Sequence, residues 1–102
     1  MARFDVYPNP IAEQRPRIPY WLDVQSDFVD LLATRVVIPL RLGDDPATER
    51  LNPRLTFGQR QLIAETQSLA AVQTRLLKKA VGNLKNHQAA IEDALDFLFR
   101  GY

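Results

Sequence analysis

The chain has no cysteine among its 102 residues. Disulfide bonds and thiolate chemistry are therefore excluded, which is typical of a cytoplasmic protein. No apolar run is long enough to span a bilayer, and the N-terminal residues do not have the pattern of a signal peptide. We therefore expect a cytoplasmic protein with no membrane partner.

An excess of charge of one sign is also missing. Lysine and arginine number 13 against 12 acidic residues, for a net charge of +1. Residues 1–50 carry a net −2 and residues 51–102 a net +3. Because tight binding to nucleic acid depends on neutralising phosphates, we expect no tight nucleic-acid binding by this chain alone.

Motifs of catalysis are scarce. The one histidine, His87, has no serine or cysteine placed in sequence to act as its nucleophile. Asp23, Asp27 and Asp30 lie close in sequence and would suit acid–base chemistry or a metal, but aspartates of this kind are common in turns. No glycine-rich phosphate loop or dinucleotide motif occurs. The sequence predicts no catalytic residues, no metal site and no cofactor.

What the chain does have is the composition of one small globular domain, residues 1–102. Hydrophobic residues make up 46% and charged residues 25%. A domain of this size has a modest core, and dimerisation would bury further apolar surface. We therefore expect a homodimer.

Two β-prone runs organise the chain. Tyr20–Val24 and Arg35–Leu40 are rich in aromatic and β-branched residues and flank a polar middle. Residues 36–38, Val-Val-Ile, lack polar alternation, which predicts a strand buried on both faces. Pro39 predicts that this strand ends or meets a sheet edge there.

Further strands are predicted on either side of this pair. Polar and apolar residues alternate from Arg3 to Tyr7, and a proline-rich loop covers residues 8–19. Residues 55–66 predict a β-hairpin turning at Gly58-Gln59-Arg60, and residues 71–77 another strand. Helix propensity alone would also allow one helix over residues 61–81.

The helical pattern is clearest at the C-terminal end. Leu84, Ile91, Leu95 and Leu98 recur at helical spacing, which predicts a helix over residues 84–100. Asn83 is placed to cap its start and Gly101 to end it.

The last six residues contain a surplus of large apolar groups. Leu98 belongs to the buried stripe, but a helix cannot turn Phe97 and Phe99 to the same face. The spacing leaves two alternatives open, either contact with a partner or burial within a barrel.

Several segments together resemble one known family. LDVQSDFVD at residues 22–30, followed by RVVIPL at residues 35–40, resembles the core signature of the CcdB family of toxins from toxin–antitoxin modules. FDVY at residues 4–7, LNP at residues 51–53 and the closing segment 90–102 match the family in the same order. The resemblance covers nearly the whole chain.

The resemblance implies a mainly β fold with one C-terminal α-helix, a small SH3-like β-barrel that forms homodimers. It also implies a function without enzymatic activity. Family members bind the A subunit of DNA gyrase and poison the cleaved-DNA complex. A cognate CcdA-like antitoxin neutralises the toxin, and the complex represses its own operon, with the antitoxin making most contacts to operator DNA.

The resemblance also assigns binding residues. The residues that match the family's gyrase contacts are Phe28, Val29, Asp96, Phe99, Arg100, Gly101 and Tyr102. Loop 8–17, with Arg15 and Arg17, corresponds to a segment that contacts the antitoxin. The best-known member ends in Trp-Gly-Ile where this chain has Arg-Gly-Tyr. An arginine guanidinium can stack where an indole would, but it adds a charge.

Two alternatives to a gyrase poison stay open. Ribonuclease toxins of the MazF type share this barrel, and a fold does not decide a function. Such an enzyme needs a positioned acid–base set and a basic groove, whereas this sequence has one histidine and near-neutral charge. The other alternative is a degenerate family member that acts only as antitoxin partner and co-repressor.

Overall fold

The computed structural model describes residues 1–29, 32–43 and 49–101, with the side chain of Val29 excepted. Within these ranges the chain forms seven strands, several short 3-10 turns and one helix. Their bounds are β1 Asp5–Pro8, β2 Tyr20–Asp23, β3 Thr34–Leu42, β4 Arg54–Phe57, β5 Arg60–Ala64, β6 Ala70–Gln73, β7 Gly82–Asn83 and α1 Gln88–Arg100. Among the described helices, none is both long and apolar enough to cross a bilayer.

All seven strands belong to one antiparallel sheet. The strand order is β4-β5-β3-β2-β1-β7, and β6 pairs with β3 outside this path. The sheet curves into a half-barrel with the single helix α1 at the end of the chain. The predicted fold class, mainly β with one C-terminal helix, is confirmed.

β3 is the central strand. One of its edges pairs with β2, and the other pairs first with β6 over residues 34–37 and then with β5 over residues 40–42. The sequence predicted that β3 ends or meets a sheet edge at Pro39, and the first alternative was wrong, because the strand continues to Leu42. The carbonyl of Pro39 accepts a hydrogen bond from the Glu65 N–H at 2.9 Å. The nitrogen of Pro39 faces the same side, where β6 gives way to β5, so the missing donor lies at an interruption of the ladder.

The segment after the hairpin is extended rather than helical. β5 and β6 run one after the other along β3, separated by a 3-10 turn at Thr66–Ser68. Pairing with β3 therefore overrides the helix propensity of residues 61–81. The strand expected over residues 71–77 ends early, at Gln73, and a second 3-10 turn follows it.

The sheet has a buried core on each face. The larger core includes Val6, Leu22, Ile38, Leu40, Leu62 and Ile91, and the smaller one contains Tyr7, Trp21, Val37 and Leu77. Val37 and Ile38 are neighbours in β3 and enter opposite cores, and Val36 packs against the larger one. This confirms the prediction of a strand buried on both faces.

The two ends of the sheet meet through side chains. A Cβ atom on Gly82 of β7 would overlap the ring of Phe57 at the end of β4, so this close approach requires glycine. The Thr56 N–H in β4 donates to His87 Nε2, just beyond β7, at 3.2 Å. These side-chain contacts join β4 to β7, two strands that no backbone ladder connects.

The helix starts later than predicted. Residues 85–87 form a 3-10 turn, and α1 begins at Gln88. Asn83 acts as expected, since its Oδ1 accepts the Lys85 N–H at 2.8 Å, but it caps the 3-10 turn. Gly101 has φ +80° and its N–H donates to the Phe97 carbonyl at 2.9 Å, which confirms the predicted helix end.

Candidate interaction surface

The C-terminal half of α1 presents three different environments. Ile91 and Ala94 are buried against the sheet, and Leu98 is half-buried beside them. Phe99 points away from this face and is 72% exposed. Asp96 and Arg100 are exposed as well. The helix therefore leaves one aromatic side chain open to solvent with charged neighbours.

Phe97, the other aromatic of the helix end, is covered from within the chain. The guanidinium carbon of Arg50 lies 4.8 Å from the centroid of the Phe97 ring. Arg50 Nε and Nη2 donate to the two oxygens of Asp93 at 3.0 and 3.1 Å. This bidentate pair holds the guanidinium over the ring, so Phe97 belongs to the fold rather than to the open surface.

The loop between β2 and β3 carries the most exposed large hydrophobic side chain of the described residues. Phe28 is 99% exposed and lies in a 3-10 turn at Asp27–Val29. Its N–H donates to Ser26 Oγ at 3.1 Å, which fixes the backbone of the turn. The side chain of Val29 lies outside the described part. An aromatic ring fully in water, on a hydrogen-bonded turn, is characteristic of a binding site.

Gln25 builds the base of this loop. Its side-chain Nε2 donates to the Thr34 carbonyl at 3.1 Å, and its Oε1 accepts the Val36 N–H at 3.0 Å. The amide side chain therefore continues the ladder between β2 and β3 after their backbones separate. The DVQS segment singled out in the sequence positions the turn that carries Phe28.

Asp23 lies beneath the same loop and pairs with Arg35. Both side chains are fully buried, and Arg35 Nε donates to Asp23 Oδ2 at 2.8 Å. The other oxygen of Asp23 accepts the Gln25 N–H at 3.0 Å. Burial raises the pKa of the Asp23 carboxyl, and the hydrogen bonds from Arg35 and Gln25 oppose this effect without cancelling it. The role of Asp23 is structural, in a buried pair, rather than that of a surface or turn residue.

Arg3 joins the loop to the helix. Its backbone N–H donates to Asp27 Oδ1 at 2.7 Å, and its Nη1 lies 2.8 Å from Glu92 Oε2 on α1. Glu92, Asp96 and Phe99 are spaced by four and three residues and share one flank of the helix. The Phe28 loop and the Phe99 flank are thus tied to a common residue, one that no pattern in the sequence had indicated.

An unusual backbone conformation supports this joint. Phe4 has φ +73°, so it lies in the left-handed region and outside β1, which begins at Asp5. Its side chain is buried in the same core as Val6, and its N–H donates to the Asp23 carbonyl at 2.7 Å. A left-handed non-glycine residue costs about 1–2 kcal/mol, which the buried ring and this bond offset.

The loop predicted to contact an antitoxin lies elsewhere. Arg15 and Arg17 are both exposed, on a loop held from within by the buried side chain of Asn9. The Arg17 carbonyl accepts the Leu42 N–H at 2.8 Å, at the C-terminal end of β3. The Phe28 loop precedes the N-terminal end of β3. A nine-residue strand places the two surfaces roughly 27 Å apart along its axis.

The candidate catalytic residues that the structure describes do not come together in one site. His87 Nε2 accepts the Thr56 N–H, which occupies the nitrogen that a base would use. Asp23 is buried with Arg35, Asp27 accepts from the Arg3 backbone, and Asp30 lies outside the described residues. Within the described ranges, no group of three or more His, Cys, Asp or Glu residues could hold a metal ion.

The sequence matches one family of known proteins along nearly its whole length. The model of the family described as CcdB protein matches residues 3–101. The chain belongs to the CcdB family. CcdB proteins are toxins of type II toxin–antitoxin modules, and this CcdB-family chain is a toxin of that class. Tyr102, the last of the residues assigned to gyrase contact, lies outside the described part.

A solved structure has the same fold. It is described as an endoribonuclease in complex with its cognate antitoxin from Mycobacterial species, and it matches with a TM-score of 0.75. The match covers 97% of this chain and 94% of that chain at 14% sequence identity. At this identity the likeness shows a shared barrel and carries no residue roles.

Proposed function

We propose that this CcdB-family toxin binds the A subunit of DNA gyrase and poisons the cleaved-DNA complex, without enzymatic activity of its own. The binding surface would consist of Phe28 and Val29 in the β2–β3 loop and the C-terminal end of α1. The toxin would act as a homodimer, since a domain of this size gains stability from a partner.

The exposure of two aromatic side chains carries this proposal. Phe28 is 99% and Phe99 is 72% exposed, although each costs free energy in water. Both occupy positions that match the family's gyrase contacts, and Arg3 ties their supporting elements together. Aromatic side chains are the usual energetic centres of protein interfaces, with charged residues such as Asp96 and Arg100 at the rim.

The helix end suits the same role. Gly101 adopts the left-handed conformation, which turns the chain away from the helix axis directly after Arg100. The guanidinium of Arg100 is exposed and stands where the best-known family member has tryptophan. It can stack on a planar group of gyrase while adding a charge-assisted hydrogen bond.

An antitoxin partner is part of the proposal. The solved structure of the same fold contains a cognate antitoxin, and Arg15 and Arg17 offer two exposed cations to an acidic CcdA-like segment. Association with such a segment would be fastest at low salt. Contact with operator DNA would come through the antitoxin complex, because the toxin has a net charge of only +1.

The experiment that tests the proposal is a cleavage assay with purified toxin, gyrase and supercoiled plasmid. Wild-type toxin should yield linear DNA once the trapped complex is denatured. Phe28→Ala and Phe99→Ala should each lower the yield at least about tenfold, as expected for interface centres. Val81→Ala is the matched control, because Val81 is 51% exposed and lies outside both elements.

Two results would contradict the proposal in different ways. Cleavage of messenger RNA with gyrase unaffected would favour the ribonuclease alternative, and the site would then have to be built around residues other than the occupied His87 Nε2. Binding to antitoxin without any effect on gyrase or RNA would favour a member that serves only as partner and co-repressor.

A further inference from the structure

The outer edge of β6 has unpaired backbone groups. In β3, the backbone N–H and C=O groups of the odd-numbered residues point towards β6, because the Ala33 carbonyl accepts the Thr74 N–H. The even-numbered residues point theirs towards β2, since the Val36 carbonyl accepts the Val24 N–H. Val36 and Thr34 pair in register with Ala71 and Gln73. By the alternation of an antiparallel ladder, the N–H and C=O groups of Ala71 and Gln73 point away from β3. No described residue hydrogen-bonds to them.

The four residues of this edge strand lack the charges and prolines that commonly protect an edge. Soluble proteins block open strand edges with charges, prolines or bulges. β6 reads Ala-Ala-Val-Gln, with no charge and no proline. The edge of β4, by contrast, is covered where His87 accepts the Thr56 N–H. An open, neutral edge can accept another strand through main-chain hydrogen bonds.

The surroundings of the edge are basic. Residues 66–84 include Arg75, Lys78 and Lys79 and contain no aspartate or glutamate. Arg75 lies in the turn directly after β6, and Lys78 and Lys79 follow that turn. All three are exposed and form no ion pair with a described carboxylate. The local charge therefore selects an acidic partner and disfavours a second copy of the same edge.

A concavity lies at the C-terminal end of the edge. It has a volume of about 430 Å³ and is lined by Ala33, Thr34, Gln73, Thr74 and Arg75. Three of these residues belong to β6 or to the turn after it. A side chain of an added strand would point into this space, since alternate side chains of a strand face the same side.

We propose that the open edge of β6 binds an extended acidic peptide as an additional strand, with an apolar side chain in the neighbouring concavity. A peptide backbone matches the alternating donors and acceptors of Ala71 and Gln73, whereas the phosphates of a nucleic acid supply acceptors only. The inference rests on the proposed function for the source of the peptide, namely the acidic segment of the antitoxin. The β6 edge would be a second site of contact with the antitoxin, at the opposite end of β3 from Arg15 and Arg17.

A peptide-binding assay tests this without gyrase or antitoxin, so its result is separate from that of the cleavage assay. The probe is a fluorescent peptide of about twelve residues in which glutamate alternates with valine, a length that spans the edge and the basic residues. Gln73→Pro removes one outward N–H, and the native φ of −68° at Gln73 already suits proline. We expect unchanged thermal stability and at least about tenfold weaker peptide binding, as for a lost main-chain bond in an interface.

Further arms separate strand addition from simple charge attraction. A peptide of the same sequence with alternate backbone nitrogens methylated keeps its charge but cannot pair, and it should bind at least about tenfold more weakly. Arg75→Glu should weaken binding, and Lys85→Glu, a charge reversal outside the edge, should have little effect. Equal binding of the methylated peptide, tighter binding of a single-stranded oligonucleotide, or a dimer that Gln73→Pro dissociates would each overturn the inference.

Discussion

Asp23 and Arg35 form an ion pair in which both side chains have no solvent exposure. Arg35 Nη2 and Nε lie 2.7 and 2.8 Å from the same oxygen of Asp23. Arg35 Nη1 has no hydrogen-bond partner among the described residues. Removing charge from water is costly, so this pair stabilises the fold much less than its short distances suggest.

The first prediction concerns the cost of leaving one charge of this pair buried alone. Arg35→Met should destabilise the protein by about 3–5 kcal/mol, because it leaves the Asp23 carboxylate buried without its cation. The double variant Asp23→Leu/Arg35→Met should recover most of that loss, because no buried charge remains. Urea unfolding of the single and double variants at pH 7 measures the coupling. Losses that simply add in the double variant would show that the two side chains act independently.

The second prediction concerns alkaline pH. Burial raises the pKa of Tyr7 to about 12, with the carboxylates of Asp5 and Asp23 adding to the effect. Because the folded pKa lies above the ordinary value of 10.0, the neutral phenol is favoured in the fold. The resulting stability, about 2–3 kcal/mol, is present below pH 10 and is lost as the pH rises towards 12.

Comparison with Tyr7→Phe isolates this contribution. The variant should lose less stability than the wild type between pH 9 and about 11.5, since lysine titration is the same in both proteins. Urea unfolding across this range provides the measurement, and identical pH dependence of wild type and Tyr7→Phe would contradict the assignment.

The fold was largely predictable because its signals are local. Periodicity located α1, and β-branched runs located β2 and β3. The local signals failed where pairing between segments distant in sequence determines where an element begins or ends. Pro39 lies within β3 because its missing N–H falls between two partner strands, which no local pattern encodes. The 3-10 turn before Gln88 likewise includes His87, which contacts Thr56 from a distant part of the sequence.

The candidate surface was only partly predictable. The resemblance identified Phe28 and Phe99, and the structure places both in solvent. Helical spacing alone could not separate Phe97 from Phe99, because Arg50, which covers Phe97, is distant in sequence. Arg3 was missed for the same reason, since its partners Asp27 and Glu92 come from two separate elements.

The third prediction concerns the tip, residues 100–102. Deleting it removes the hydrogen bond from Gly101 to Phe97 and one cation at the helix end. The loss of stability should be at most about 1–2 kcal/mol. The truncated toxin should therefore fold, dimerise and bind antitoxin, yet fail to trap gyrase, because interfaces concentrate their energy in a few side chains.

Two further variants separate the toxic surface from stability. Gly101→Ala keeps the other side chains of the tip but strains a backbone at φ +80°, so it should cost about 1–2 kcal/mol and weaken gyrase trapping less than the deletion does. Arg100→Trp restores the family's aromatic group and should strengthen gyrase trapping. Unfolding curves and the plasmid-cleavage assay measure the two effects separately. Full toxicity of the truncated protein would exclude the tip from the gyrase-binding surface, because the same deletion removes both the guanidinium and the left-handed turn that presents it.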